Sequence, residues 1–292
     1  MTSLFRPREY HRPDNLSEAA QLLSDLGKKA KLIAGGTDLL VNKPPEVECL
    51  VDVANLDLNY IRQDKDGIKI GAATTVDLIE SSEVLSSGPY VVLSEAASIM
   101  ATPTVRNMAT IGGNICNASP AADLPLALMV LDSTVRTAGL SGGRTLPIGD
   151  FFDDVNKTAL HGDELLVEVN IPLSSGNTGA SFMKLRHHQT AVDIAIVNVA
   201  VKLTRSENLC EDVRIALGAV ASKPIYANKA EKLLTGKRID AELIRKAAEA
   251  AAEESKPIDD IRASAGYRRS MVAVLVKRAL EVCLRRCGTW QK

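Results

Sequence analysis

The sequence predicts an α+β protein of two domains, and three observations lead to this fold class. The chain has 292 residues, of which 46% are hydrophobic and 24% are charged, which suits two domains of ordinary size or one large one. Its first half alternates short strand-like and helix-like runs, whereas its last part places three strand-like runs before three helical ones. Strands followed by helices indicate an antiparallel sheet with helices packed on one face.

The elements of the first half follow from the spacing of apolar residues. Apolar side chains recur at helical spacing over Leu16–Leu26, where Asn15 or Ser17 can cap the start and Gly27 can end the helix. The turn at 64–67, Asp-Lys-Asp-Gly, predicts a pair of strands around it. The other predicted elements of this half are strands over 30–34 and 49–53, helices over 76–81, 90–100 and 121–131, and strands around 135 and over 165–171.

A stretch of small and turn-forming residues separates the two halves. Residues 172–179, Pro-Leu-Ser-Ser-Gly-Asn-Thr-Gly, have the composition of a linker. We therefore predict a first domain over 1–176 and a second over 177–292. The second domain is predicted to contain strands over 181–186, 194–203 and 213–220, followed by helices from Asn228, Asp240 and Tyr267.

Charge and hydropathy exclude several classes of function. The 35 basic and 36 acidic residues give a net charge of −1, which provides no long-range attraction to nucleic acid or to an anionic membrane. No apolar run approaches the roughly 18 residues of a membrane span, and Arg6, Arg8 and Arg12 interrupt any signal-like N-terminal segment. The final helix lacks the interleaved aromatics of a nucleic-acid site, so its basic residues predict a solvated face or a protein contact. These are Arg268, Arg269, Lys277, Arg278, Arg285 and Arg286.

Cysteine and histidine spacing gives no metal or disulfide pattern. The five cysteines form neither a disulfide framework nor an iron–sulfur or zinc motif, which predicts reduced thiols in a cytoplasmic protein. They are Cys49, Cys116, Cys210, Cys283 and Cys287, and a buried structural thiol is expected for Cys116. The neighbours His187 and His188 would point to opposite faces of a strand, so a surface role is predicted for them.

Two double-glycine turns are the candidate binding elements. The first comprises Leu32, Ile33, Ala34, Gly35, Gly36, Thr37, Asp38 and Leu39. Its glycines permit positive φ and close approach of a ligand, and successive N–H groups are left to bind phosphate oxygens. Thr37 can add a hydroxyl donor. Because it is anionic, Asp38 is expected to cap the helix that begins at Leu39.

The second turn is expected to repeat this chemistry. It comprises Thr110, Ile111, Gly112, Gly113 and Asn114. Two such turns could hold a pyrophosphate from two sides, as a dinucleotide requires, whereas either pair alone could be only a tight turn. A third pair, Gly142 and Gly143, is predicted to form a hairpin turn between short strands.

Taken together, these motifs resemble the FAD-binding medium subunits of molybdenum hydroxylases. That family includes the flavin subunits of xanthine dehydrogenase, carbon monoxide dehydrogenase and nicotinate dehydrogenase. The resemblance rests on the first turn, on Arg106-Asn107 leading into the second, and on Arg262-Ala263-Ser264-x-x-Tyr267-Arg268. It implies a two-part FAD-binding domain of the vanillyl-alcohol-oxidase (PCMH) type over 1–176. A small α+β CO-dehydrogenase-flavoprotein C-terminal domain is implied over 177–292.

The resemblance also implies a set of flavin contacts. Residues 32–39 would wrap the pyrophosphate and ribityl chain, residues 110–114 would form a second phosphate clamp, and Ile111 would lie close to the flavin ring. Ala101, Asp123, the backbone at Leu166, and Lys184 match further contacts of the family. For Asp123 a helix cap is the alternative, and for Lys184 a solvated strand position.

The implied function is electron transfer within a larger complex. A large partner subunit would hydroxylate the substrate at a molybdopterin centre, and a small partner subunit would relay electrons through [2Fe–2S] clusters. FAD in this chain would pass them to NAD+ or another acceptor. The short turn at 42–45, with only Cys49 nearby, argues against an additional [4Fe–4S] cluster. Two alternatives are a self-contained flavin oxidase and a non-catalytic scaffold that has lost flavin.

Overall fold

The computed structural model describes residues 5–174, 176–186, 194–207 and 209–287. The helices in these ranges are α1 (Leu16–Leu26), α2 (Leu39–Asn42), α3 (Val76–Ser81), α4 (Val91–Ser98), α5 (Pro103–Arg106), α6 (Ile111–Cys116), α7 (Leu124–Val130), α8 (Asn228–Leu234), α9 (Ala241–Glu254) and α10 (Ala265–Arg286). The strands are β1 (Glu9–His11), β2 (Ala30–Ile33), β3 (Cys49–Asp52), β4 (Ile61–Asp64), β5 (Gly67–Gly71), β6 (Thr134–Ala138), β7 (Thr145–Pro147), β8 (Phe152–Asp154), β9 (Lys157–Thr158), β10 (Leu165–Pro172), β11 (Asn177–Leu185), β12 (Val197–Ser206), β13 (Leu209–Gly218) and β14 (Ile225–Tyr226).

A small parallel sheet forms the N-terminal part. Its strand order is β1-β3-β2, and both neighbouring pairs are parallel. Helix α1 packs on this sheet with Ala19, Ala20 and Leu23 buried. The Asn15 side chain accepts from the Glu18 amide at 2.9 Å, so Asn15 rather than Ser17 caps the helix.

An antiparallel sheet forms the second part of the first domain. Its order is β4-β5-β10-β6-β7, and the turn between β6 and β7 contains Gly142 and Gly143, which confirms the predicted hairpin. Helices α3 to α7 belong to the core beside this sheet, and every residue of α7 is buried. Helix α7 begins at Leu124, later than the predicted 121, because a 119–122 turn precedes it and Pro125 fits only the first helical turn.

The second domain is a four-stranded antiparallel sheet with helices on one face, which confirms the predicted α+β class. The strand order is β11-β12-β13-β14. Along β12, Val197, Val199 and Val201 face the core made with α8, α9 and α10. The alternate residue Ala200 belongs instead to the core of the first domain, together with Ala180 and Ala216. The sheet therefore contributes one face to each domain's core.

The division between domains predicted after residue 176 lies between β10 and β11. Strand β10 ends at Pro172 and β11 begins at Asn177. The position of the boundary stays a prediction. No helix among the described residues has both the length and the apolar character needed to cross a membrane.

Two basic residues of α10 are not on a solvated face, contrary to the sequence-based expectation. Arg268 is buried and donates to the Ile196 carbonyl oxygen at 2.7 Å and to the Asp260 carboxylate at 2.7 Å. Arg286 is partly buried and donates to Glu95 and to the Ala180 carbonyl oxygen. The sequence places both residues in a charged stretch, and only the tertiary fold supplies their acceptors.

The cysteines are unpaired thiols, as predicted. Four are buried and Cys116 is partly exposed. Burial of its sulfur raises the pKa of Cys116 to about 12, so the thiol stays protonated and structural. His187 and His188 lie outside the described residues.

Candidate functional site

The first glycine turn presents a row of open backbone donors. It follows β2 directly, and Gly36 has φ of +67°. Within the described part of the chain, no acceptor is bonded to the backbone N–H groups of residues 34–39, six in succession. Successive unbonded N–H groups form an anion-binding concavity. This is the arrangement that the sequence predicts for the first turn.

Asp38 occupies the N-cap position of α2, as expected, but its side chain does not form the expected capping hydrogen bond. Its Oδ1 accepts from Asn42 Nδ2 at 2.6 Å, one helical turn further on, and no side-chain cap bond is formed. The carboxylate is held along the outside of the short helix. The amides at the turn therefore remain open to a ligand.

Gly35 brings the two glycine turns together. A Cβ at this position would lie 1.6 Å from the carbonyl oxygen of Met108, a separation that no side chain can adopt. The first turn is thus packed against the backbone just before Thr110. Close backbone packing, and not positive φ, is the requirement at Gly35.

The second glycine pair is helical, and its amides are already bonded. The N–H groups of Ile111 and Gly112 donate to the carbonyl oxygens of Thr74 and Ala72 at 2.9 and 2.8 Å. Gly113 N–H donates to Thr110 Oγ1 at 3.1 Å, and the N–H of residue 114 donates to the Thr110 carbonyl oxygen at 2.9 Å. The expected second row of free amides is therefore wrong, because Thr74 and Ala72 supply acceptors that are distant in sequence and Thr110 caps the start of α6.

The glycines of this pair leave space instead. A Cβ on Gly112 would lie 2.7 Å from the Ala72 carbonyl oxygen, so this glycine allows α6 to approach the segment after β5. A Cβ on the exposed Gly113 would meet only Thr110 Oγ1, at 3.0 Å. The first glycine is needed for packing, whereas the second leaves the backbone surface open.

Asn114 supplies the polar atom that the second turn offers. Its Oδ1 is buried and has no hydrogen-bond partner among the described residues, and its Nδ2 contacts Met100 Sδ at 3.5 Å. Buried acceptors are normally bonded, so an unbonded one beside an open surface fits a ligand that carries a donor.

Arg106 positions the neighbouring loop that contains Ala101. Its Nη1 donates to the Met100 and Ala101 carbonyl oxygens at 3.1 and 3.2 Å. Its Nε lies 2.7 Å from the Glu80 carboxylate. Ala101 has φ of +47°, a conformation that non-glycine residues rarely adopt. The Arg106-Asn107 motif thus holds the loop beside Asn114.

The backbone at Leu166 lies close to the same helix. Val167, the next residue, accepts from the Ala72 N–H at 3.0 Å, and Ala72 in turn accepts from Gly112. A bulge interrupts the pairing of β10 with β6 between Leu166 and Glu168. The structure therefore brings together the first turn, the second turn, Ala101 and the Leu166 backbone.

Asp123 and Lys184 form a buried ion pair between the domains. Their side chains are 3% and 4% exposed, with Lys184 Nζ 2.6 Å from Asp123 Oδ2. Burial raises the pKa of Asp123, while Lys184 and Asn198 oppose this rise. Asp123 makes no cap bond to α7 and Lys184 is not solvated, so both structural alternatives are wrong.

Asn198 completes this pair and was not predicted. It is fully buried on β12, and its Nδ2 donates to Asp123 Oδ1 at 2.9 Å and to the Ala122 carbonyl oxygen at 3.2 Å. The sequence did offer a signal for Asn198, which is a polar residue among the valines and alanines of a buried strand. Because α7 packs against α6, this network adjoins the second turn.

The arrangement fits a pyrophosphate-containing dinucleotide. Open amides suit phosphate oxygens, and the unbonded Asn114 Oδ1 suits a hydroxyl or ring N–H. Gly35 makes close approach of the two turns possible.

Comparison with known proteins identifies the family of both parts of the chain. Residues 5–174 match the family described as the FAD binding domain in molybdopterin dehydrogenase. Residues 180–282 match the CO dehydrogenase flavoprotein C-terminal domain. These matches confirm the resemblance and the two-domain fold class predicted from the sequence.

Individual relatives align over nearly the whole chain. The carbon monoxide dehydrogenase medium chain of Hydrogenophaga pseudoflava is 36% identical over 285 residues, which cover 96% of this chain and 98% of the relative. The xanthine dehydrogenase FAD-binding subunit of Escherichia coli O157:H7 is 30% identical over 292 residues, covering 98% and 99%. A solved carbon monoxide dehydrogenase from H. pseudoflava that lacks the Mo-pyranopterin moiety of the molybdenum cofactor superposes with a TM-score of 0.92. That match has 35% identity and covers 97% of this chain and 99% of the other.

Proposed function

Because this chain belongs to the family of FAD-binding medium subunits of molybdenum hydroxylases, we propose that it transfers electrons through one FAD bound at the two glycine turns. The chain is an oxidoreductase subunit, and its relatives oxidise their substrates in another subunit. Electrons reach the flavin from [2Fe–2S] clusters of a small partner subunit, and NAD+ or another acceptor removes them. A large partner subunit holds the molybdopterin centre at which the substrate is oxidised.

The observation that carries this proposal is the row of six open amides at residues 34–39. Phosphate oxygens need several donors at once, and backbone amides provide them without a flexible basic side chain. The row is partly exposed, so a ligand can reach it. Thr37 adds a hydroxyl donor within the same segment.

The second turn has a different role in this proposal from the one expected. Its amides are used inside the protein, so it does not clamp phosphate through them. Gly113 leaves the surface open, and Asn114 Oδ1 accepts a hydrogen bond from a hydroxyl or ring N–H of the ligand. Ala101 and the Leu166 backbone border the same region.

The Asp123–Lys184 pair orients the inner end of the site. Asp123 accepts from Lys184 and Asn198, so these three buried side chains hold one another in place. FAD, when bound, supplies the chemistry that accepts electrons and passes them on. The chain itself contributes binding, orientation and a fixed charge environment.

Flavin content tests the role of the first turn. Gly36→Val should lose most of the flavin, because φ of +67° strains a β-branched residue and its Cβ would lie 3.0 Å from Leu40 Cδ1. The matched control is Gly236→Val, which has φ of +72° and no neighbour within 4 Å. It introduces similar backbone strain away from both turns. Equal flavin absorbance per chain in the two variants would contradict the assignment.

Reduction of the assembled complex tests electron transfer. The organic substrate should bleach the flavin absorbance in a complex co-purified with its molybdenum- and iron-containing subunits, and addition of NAD+ or another acceptor should restore it. The isolated flavin-loaded chain should not bleach with the same substrate. Full substrate turnover by this chain alone would favour a self-contained oxidase and overturn the proposal.

A further inference from the structure

The N-terminal sheet brings together three metal-ligating side chains that are not part of the glycine turns. Glu9 and His11 are on β1, and Cys49 begins β3. One ligand atom from each of the three lies within 4.8 Å of the other two. His11 Nε2 is 3.1 Å from Glu9 Oε2. Sequence spacing gave no sign of this set, because 38 positions separate His11 from Cys49.

Strand register explains why these side chains converge. Glu9 is paired with Cys49 across the parallel β1–β3 ladder, and paired residues project to the same side of a sheet. His11 is two residues after Glu9, so it projects to that side as well. The set therefore depends on regular backbone structure and not on a loop.

The three side chains differ in exposure in a way that suits an ion at the surface. The Cys49 side chain belongs to the core under α1 and is 1% exposed. The side chains of His11 and Glu9 are 41% and 59% exposed. A thiol thus lies at the base, an imidazole and a carboxylate lie at the rim, and the rim is open for entry and for a water ligand.

We propose that Glu9, His11 and Cys49 bind one Zn²⁺ ion, with water as the fourth ligand. Thiolate, imidazole and carboxylate are the ligands that zinc takes in proteins, in tetrahedral geometry. Ligands about 2.0–2.3 Å from a tetrahedral ion are about 3.3–3.7 Å apart. The three ligand atoms lie within 4.8 Å of one another, so binding requires the exposed side chains of Glu9 and His11 to rotate toward the sulfur.

The local charge suits a cation at this position, because the Glu9 carboxylate lies beside the His11 imidazole, with Nε2 and Oε2 3.1 Å apart, and near the Cys49 sulfur. The thiol proton leaves to solvent as the sulfur–zinc bond forms.

The expected consequence is a metal-dependent link between two strands. β1 is an edge strand that pairs only with β3 in this sheet, so the ion would join the edge to the centre. None of the three proposed ligands is a proposed flavin-binding residue, although β3 also pairs with β2, the strand that leads into the first glycine turn. Zinc binding itself does not depend on the proposed electron transfer.

Co²⁺ and Zn²⁺ titrations of the full chain test the site. Co²⁺ should produce a thiolate-to-metal charge-transfer band that Zn²⁺ displaces and that Cys49→Ser abolishes. His11→Ala should weaken Zn²⁺ binding, measured calorimetrically, by more than the roughly 10–100-fold that loss of an outer-shell partner costs. Its side chain is partly exposed, so this variant should fold normally, and circular dichroism with thermal unfolding checks that both variants do.

Two matched controls separate this site from other thiols and imidazoles. Cys116→Ser removes the partly exposed cysteine, and His161→Ala removes an exposed histidine 3.8 Å from Glu164. Both should keep the charge-transfer band and the wild-type Zn²⁺ affinity. A wild-type chain without the band, or a band that survives Cys49→Ser, would overturn the proposal.

Discussion

Substitution of Gly113 should change flavin binding and protein stability in opposite directions. Gly113 is the third residue of α6, it is exposed, and its φ is not in the left-handed region. A Cβ there would contact only Thr110 Oγ1, at 3.0 Å. Without a ligand, the position therefore accepts alanine.

The two magnitudes can be worked from this geometry. Alanine is favoured over glycine inside a helix by roughly 0.8–1.0 kcal/mol. The tight contact of the new Cβ with Thr110 reduces this stabilisation. We expect Gly113→Ala to raise the free energy of unfolding of the flavin-free protein by about 0.5 kcal/mol. If the ligand lies against this open backbone, the added methyl group should weaken flavin binding at least about tenfold, or about 1.4 kcal/mol.

The assay compares flavin titration with denaturant unfolding of the flavin-free chain. The matched control is Gly266→Ala, an exposed second residue of α10 whose Cβ would meet nothing within 4 Å. It should gain similar stability and keep full flavin affinity. Equal flavin affinity in the two variants would refute the placement of the ligand at α6, whereas a destabilised Gly113→Ala protein would refute the account of the local backbone.

Three further predictions concern buried charges. Lys184→Met should lower the free energy of unfolding by about 3–5 kcal/mol, because it leaves the buried Asp123 carboxylate without its cation. In urea unfolding, the double variant with Asp123→Asn should recover most of this loss, and an unaffected single variant would contradict the pairing. Arg144 lowers the pKa of Glu164 from 4.5 to about 2, so this carboxylate contributes stability at neutral pH that is lost as the pH falls from about 4.5 to about 2. Glu164→Gln should therefore cost at most about 3 kcal/mol at pH 7 and much less near pH 2, and a cost independent of pH would argue against the linkage. Arg268→Met should cost about 3–5 kcal/mol in the same assay, because the Ile196 carbonyl oxygen and the Asp260 carboxylate lose their buried cationic donor. A cost below about 1 kcal/mol would place that cation in solvent.

Local sequence patterns predicted the helices whose formation depends mainly on neighbouring residues. Helix α3 has the predicted bounds, and α9 begins at Ala241, one residue after the predicted start at Asp240. Strand β1, Glu-Tyr-His, was missed because its residues show no apolar alternation, and its strand conformation comes from pairing with β3. The hairpin of β8 and β9 was missed as well, because it is only a few residues long.

At the candidate site, sequence reasoning found the residues but not all of their roles. The open amides at 34–39 were predicted, since they depend on a glycine turn that directly follows a strand. The bonded amide of Gly112 was not, because its acceptor, the Ala72 carbonyl oxygen, becomes available only in the folded chain. The Gly113 amide was missed because Thr110 starts a helix and caps it, where the sequence was interpreted as a turn. Asn198 escaped notice because its partner Asp123 is 75 positions away.

The two-sided sheet of the second domain determines how the whole chain can unfold. One face of this sheet belongs to the core of the first domain through Ala180, Ala200 and Ala216. Their small side chains allow the sheet to pack closely against that domain. Removing either half would expose buried apolar residues of the other. We therefore expect that the boundary does not act as a hinge and that the second half does not fold independently. We expect one cooperative unfolding transition instead of two. A redox centre held in such a unit keeps fixed distances to its neighbours, and electron tunnelling depends on those distances.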